Sequence, residues 1–171
     1  MSQKPETNLE LIERNAKKRE RENLSFRQFL KAQSSSTKID QKVFALYAEV
    51  SNAIDCTTCG NCCKQLNPAI EEHNKPAIAA YLNCSVETLE TKHLDIDPVE
   101  NYEFIKTNPC PCLDNNKCMI YQDRPASCAE YPHLNKKDFV YRLFSVLDNY
   151  GICPIVYNVV ERLKQSYHFK Y

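Results

Sequence analysis

Ten of the 171 residues are cysteines, and their spacing is where this sequence could do chemistry. Thiolates are soft donors that select zinc, copper(I) or iron–sulfur clusters over hard cations. The densest stretch is Cys56-Thr57-Thr58-Cys59-Gly60-Asn61-Cys62-Cys63. A C-x-x-C pair lets one tight turn aim two sulfurs at a single ion, and Gly60 relieves the backbone as that turn folds over. Cys56, Cys59 and Cys62 also match the first three ligand positions of a ferredoxin-type run, which makes an iron–sulfur cluster the alternative to zinc. Cys63 breaks that match, because a ferredoxin leaves three residues before its fourth cysteine. Adjacent side chains tend to diverge, so Cys62 and Cys63 read as serving two different metals, or one metal and one supporting role.

The second half of the chain supplies partners. Cys110-Pro111-Cys112 opens a loop, Cys118 follows the turn Asp114-Asn115-Asn116-Lys117, and Cys128 follows Arg124-Pro125. Cys153 precedes Pro154 and so stands at a helix N-cap, where the partial positive charge favours a thiolate. A metal shared between distant segments closes a long loop and contributes folding energy. Two sets of four cysteines would satisfy two closed tetrahedral zinc sites. Cys84 reads as a small buried hydrophobe, and Cys112 stands evenly between spare thiol and alternative ligand. His133 reads as a surface or capping histidine before a ligand. Arg124 either pairs with an acid or lies beside the thiolates, or is simply part of an Asp123–Arg124–Pro125 turn that needs no such role. Tyr121 and Tyr131 read as packing around the site.

In order and spacing, Cys56-x-x-Cys59-x-x-Cys62-Cys63, Cys110-Pro-x-Leu113, Cys118-Met-Ile-Tyr121-Gln-Asp-Arg124-Pro125-Ala-Ser-Cys128-Ala-Glu-Tyr131-Pro132 and Cys153-Pro154 resemble the YkgJ-type cysteine-cluster family over about residues 40–165. The resemblance implies a zinc- or iron-chelating domain. Its cysteines fall on Cys56, Cys59, Cys62, Cys63, Cys110, Cys118, Cys128 and Cys153. Position 112 is an aromatic in such a motif and Cys112 here; position 129 is often basic and is Ala129 here. A related cluster occurs in flagellin lysine methylases, which keeps open an iron–sulfur redox or protein-modifying component. This short chain shows no cosubstrate motif, so whether it is an enzyme stays open. A third reading is an adaptor that binds a protein partner through its charged N-terminal helix.

Composition bounds the rest. Lys plus Arg equals Asp plus Glu, 22 against 22, so no global field recruits nucleic acid or an acidic membrane. No apolar run approaches the roughly 20 residues needed to span a bilayer. The N-terminus shows no secretory signal, so the expected setting is cytoplasmic, where thiols stay reduced and clustered cysteines mean metal or redox chemistry. With only Gly60 and Gly151 as glycines, helices are favoured over hairpins.

The elements that must position the cysteines follow from periodicity. One charged helix is predicted over 8–33, with Thr7 and Glu10 at capping-box spacing. A linker at 34–37 precedes a helix with Asp40 as N-cap and Val43, Tyr47, Val50 and Ile54 on one face. Two short helices are predicted within 69–93, joined near Ser85, and a strand over 99–106. A helix over about 138–149 stops at Gly151, and a last helix starts at Pro154, with Ile155, Val159 and Leu163 facing inward. The expectation is a mainly α fold with little β (α+β), a small metal-stabilised domain over 39–171 with a helical appendage over 1–38.

Overall fold

The computed structural model describes residues 4–33 and 35–171. The described residues are 56% helical and 7% strand, a mainly α fold as the periodicity predicts. In chain order the elements are α1 (Leu9–Lys18), α2 (Glu20–Lys31), α3 (Ser36–Ala53), α4 (Cys56–Cys59), α5 (Asn61–Gln65), β1 (Ala69–Ile70), α6 (Lys75–Tyr81), α7 (Val86–Lys92), β2 (Leu94–Ile96), β3 (Glu103–Ile105), β4 (Leu113–Asp114), β5 (Lys117–Cys118), α8 (Ala126–Ala129), α9 (Phe139–Asp148) and α10 (Pro154–Ser166). They fall into two compact units. One joins the chain up to Asp55 with Pro132–Tyr171, and the other is Cys56–Tyr131. No helix among the described residues is long and apolar enough to cross a membrane.

The first unit is helical and built around α10. Pro154 opens this helix, where its missing N–H costs nothing, and Ile155, Val156, Val159, Val160 and Leu163 are buried. Helix α3 lies along it with Val43 and Val50 fully buried. Each such side chain is worth about 1.5–3 kcal/mol of burial. The stretch 8–33 is two helices. The helical path breaks at Arg19 (φ −102°, ψ 12°), whose guanidinium pairs with Glu161 on α10. The cap of α1 is Asn8, which accepts from the Leu11 N–H; the predicted Thr7 box does not form. Both helices share this unit with the C-terminal ones: α1 contacts α10, and α2 packs on α9.

Two caps differ from the sequence reading. Ser35 caps α3, which therefore starts within the predicted linker; Ser34 lies outside the described residues. Asp40 sits inside that helix, buried, and caps a different one. Its carboxylate accepts from the backbone N–H groups of Asp138 and Phe139, both at 2.9 Å, at the start of α9. A helix start leaves such N–H groups without intrahelical partners, and Asp40 supplies them across the core. Helix α9 ends at Asn149. Gly151 serves close approach instead: a Cβ there would lie 3.0 Å from the Ala16 Cβ.

In the second unit, β1, β3 and β2 form an antiparallel sheet in that order, with Ala69 opposite Phe104 and Leu94 opposite Ile105. The predicted strand over 99–106 contracts to Glu103–Ile105, because the Asp97 carboxylate turns the chain by accepting from Val99 and Glu100 N–H. Helices α6 and α7 appear as predicted, with Ser85 capping the second. Ile70, Ile78, Ala79, Leu89, Leu94, Ile105 and Cys112 make a small apolar core. Lys75 is 3% exposed, and its Nζ lies 2.5 Å from Glu72 and 2.7 Å from both Glu90 and Glu103. The bond to Glu103, with those to Glu72 and Glu90, holds this ammonium above its ordinary range and ties α6, α7 and β3 together.

Asp40→Ala should lower the unfolding free energy by about 2 kcal/mol, since it strands the buried Phe139 N–H and the part-buried Asp138 N–H. Chemical denaturation of the two proteins measures this.

Candidate metal centre

The cysteine sites are assembled from the backbone outward. The short helix α4 carries Cys56 and Cys59 and ends at Gly60, which takes a left-handed φ of +59°. That position needs glycine twice over. A side chain there is strained by the backbone angle, and its Cβ would lie 2.9 Å from both Cα and O of Asn116. Asn116 belongs to the β4–β5 hairpin, in which Leu113 pairs with Cys118 and Asp114 with Lys117. Asn115 and Asn116 both have positive φ, as a two-residue hairpin turn requires, and asparagine tolerates it. The 56–63 run is thus pressed onto the turn that delivers Cys118.

Backbone hydrogen bonds place the other cysteines. The Cys110 N–H donates to the Cys63 carbonyl at 2.8 Å, and the Met119 N–H to that of Cys112 at 2.9 Å. Cys128 rides on α8, a single turn started by Pro125, whose carbonyl accepts from the Cys128 N–H at 2.9 Å. The Ser127 hydroxyl donates to the Ala69 carbonyl at 3.0 Å and ties that turn to β1.

The thiols feel one another. Burial is the main force raising Cys118 and Cys128, the latter to about 12; like charge on Cys63 and Cys110 adds to both, and Cys118 adds to Cys128. Cys63 is raised first by its hydrogen bond to Cys62, then by burial and by the charges of Cys62 and Cys110. All six pairings among Cys63, Cys110, Cys118 and Cys128 therefore interact. Cys110 is lowered to about 7, because the Cys112 thiol donates to it. Cys112 is raised in consequence, and at 1% exposed it is also part of the apolar core.

The adjacent cysteines do not diverge. The sulfurs of Cys62 and Cys63 are 3.9 Å apart. A short helix such as α5 can bring neighbouring side chains round to one side, which an extended reading of the run misses. Cys56 is exposed and Cys59 half-buried. Cys84 packs against the small core, as its reading predicts. Cys153, at the N-cap of α10, and His133 both belong to the first unit. Arg124 is half-buried and stacks on Tyr121. Its guanidinium carbon lies 3.7 Å from the Tyr121 ring centroid, and its charge favours the thiolates of Cys63, Cys118 and Cys128.

A soft, half-buried, all-sulfur donor set of this kind suits zinc or iron. Among the described residues, no group of three or more His, Cys, Asp or Glu side chains is already arranged to hold an ion. Cys63, Cys118 and Cys128 are raised in part by like charge, and a cation placed among such thiolates would remove that repulsion.

Gly60→Ala should cost at least about 2 kcal/mol of stability, from left-handed strain and the clash with Asn116, read by thermal unfolding. The pH dependence of the metal-free chain has a definite sign. Raised thiols stabilise below the ordinary thiol range, and that stability is lost as pH rises toward their folded values; Cys110, being lowered, acts oppositely and loses its contribution as pH falls through about 7. With Cys63, Cys112, Cys118 and Cys128 raised against one lowered, the metal-free protein should lose stability above about pH 8.5. Denaturation midpoints between pH 7 and 10 measure it.

Residues 55–144 match the family model named CxxCxxCC and described as a zinc- or iron-chelating domain. No curated protein and no solved structure matches the chain. The match spans more than half of the sequence and covers the 56–63 run, the β4–β5 hairpin, α8 and most of α9. By its cysteine pattern and the extent of that match, the chain belongs to the CxxCxxCC zinc- or iron-chelating family.

Proposed function

We propose that Cys63, Cys110, Cys118 and Cys128 hold one zinc or iron ion through four thiolates. Cys56, Cys59 and Cys62 make a second group of donors at the protein surface. The observation that carries this reading is that Cys63, Cys118 and Cys128, from separate segments of one unit, each feel like charge from other thiols of the set, Cys110 included. A bound cation supplies the positive charge that lets four thiolates share one place. The residues do the rest: Gly60 and Asn116 keep α4 on the hairpin, and the Cys63–Cys110 backbone bond fixes two donors side by side. The role is metal holding, structural or as a store. The cytoplasm suits it, because a reducing compartment keeps such donors unpaired. Cys153 stands outside the quartet and remains a candidate donor from the sequence pattern alone.

A second reading, an iron–sulfur redox or protein-modifying component, is favoured by the C-x-x-C-x-x-C spacing and by the exposure of Cys56. The adaptor reading has less behind it, since the N-terminal helices are engaged in the helical core of their own unit.

Protein purified without oxygen should carry zinc or iron in stoichiometric amount by elemental analysis. Replacing Cys63, Cys118 or Cys128 singly by Ser should remove about one equivalent; replacing Cys56 or Cys59 should leave that equivalent in place. An iron–sulfur cluster would add visible absorption that zinc lacks. Retention of all metal by Cys63→Ser and Cys128→Ser contradicts the quartet.

A further inference from the structure

We propose that copies of this chain associate head to tail, the basic aromatic face of α2 and α9 in one copy receiving the acidic turn at 95–100 of another. Charge is divided unevenly between the two units. Lys plus Arg outnumber Asp plus Glu by 16 to 11 in the first and are outnumbered 6 to 11 in the second, so a chain neutral as a whole carries two opposite fields. The buried sides of α2 and α9 are spent on their own core; their outer sides are not. On α2, Arg21, Leu24, Gln28 and Lys31 recur at helical spacing along one exposed stripe. On α9, Tyr141, Phe144 and Asp148 do the same. The two helices pack on each other, and the Arg27 guanidinium carbon lies 5.6 Å from the Phe144 ring centroid, which joins the stripes into one surface. Tyr141 is 70% exposed and Phe144 56%. Arg21, Arg27 and Lys31 have no carboxylate partner among the described residues, and Asp148 alone on these stripes is acidic. Aromatic side chains beside arginine are the composition of an interface centre.

The complement is carried by the same sequence. Asp95-Ile96-Asp97-Pro98-Val99-Glu100 mixes acidic and apolar side chains, and no Lys or Arg occurs from 93 to 105. Val99 is 88% exposed and Ile96 55%. Asp95 and Glu100 have no cationic partner among the described residues. The turn is held ready. The Asp97 carboxylate accepts from the Val99 and Glu100 N–H groups at 2.9 and 2.8 Å, and the Asn101 N–H donates to the Asp97 carbonyl at 2.9 Å. A preformed turn loses little freedom on docking. Every copy carries both surfaces, so the complement of each is always at hand. Two different patches meet, which makes the contact heterologous: copies add in a row or close into a ring. A turn this short buries less than the about 1,200 Å² of a standard interface, so the association is weak and shows itself in concentrated protein. Nothing in it depends on which cysteines hold metal.

Sedimentation of the full chain, kept with a reducing agent so that exposed Cys56 forms no cross-links, tests this. The weight-average mass should rise above the 19.8 kDa monomer as protein is raised toward about 1 mM at low salt. It should fall back in about 1 M salt, where charges are screened beyond about 3 Å. Two variants separate the surfaces: Arg21→Glu with Lys31→Glu on the basic face, and Ile96→Ser with Val99→Ser on the turn. All four positions are exposed, and circular dichroism checks that each variant folds. Either variant alone should associate at least about 10-fold more weakly than wild type. Mixed one to one, each supplies the surface the other lacks, and the mixture should stop at a dimer. A wild type that stays monomeric at every concentration overturns the inference. So does association that salt leaves unchanged, or that the turn variant keeps, which means the aromatic faces meet each other. A mixture that forms no dimer overturns the head-to-tail pairing itself.

Discussion

Crowded like thiols are the constraint on which the second unit depends. Cys63, Cys110, Cys118 and Cys128 lie close enough to raise the cost of ionising one another, in a half-buried place where that cost is poorly screened. Left alone, Cys63, Cys118 and Cys128 keep their protons at neutral pH. In the proposed site a soft cation would turn that crowding into four bonds across four chain segments. The chain goes to some length to enforce the crowding. Gly60 lets α4 and the hairpin turn approach to a distance no other residue permits. The backbone bond from Cys110 to the Cys63 carbonyl joins the two halves of the cysteine pattern.

The two units are stabilised in different ways. The first has a helix, α10, in which every residue from Pro154 to Val160 is buried, and long helices α3 and α9 to cover it. Apolar burial there follows the ordinary pattern of a helical core. The second has a core of seven residues under a sheet of two- and three-residue strands. A core of that size supplies little surplus over chain entropy. Its other ties are polar: Lys75 among three glutamates, Ser127 on Ala69, Asp97 at its turn. A metal held by the quartet fits this shortage, because its binding energy is folding energy.

Much of this was legible in the sequence, for reasons that can be named. Periodicity located α3, α9 and α10, because one-sided burial writes a period near 3.6 into the chain, and the Ser85 cap marked the start of α7. Gly60 and the Asp114–Lys117 turn were legible because positive φ restricts the residue choice. Long-range partners were not. Nothing local marks Asp40 as the cap of a helix 98 residues away, and its position near a helix start suggested the nearer role. Arg19 as a helix break was hidden because its backbone angle answers to a pairing with Glu161 far along the chain. Within the site, the run 56–63 announced metal chemistry, but the meeting of Cys62 and Cys63 sulfurs depends on the turn of α5. The place of Arg124 depends likewise on a stacked tyrosine that spacing alone does not reveal.

X-ray absorption at the metal edge of the loaded, full-length protein tests the thiolate quartet most directly. A first shell of four sulfurs, at about 2.3 Å if the ion is zinc, is the predicted result. A shell of nitrogen and oxygen with one sulfur or none would contradict it.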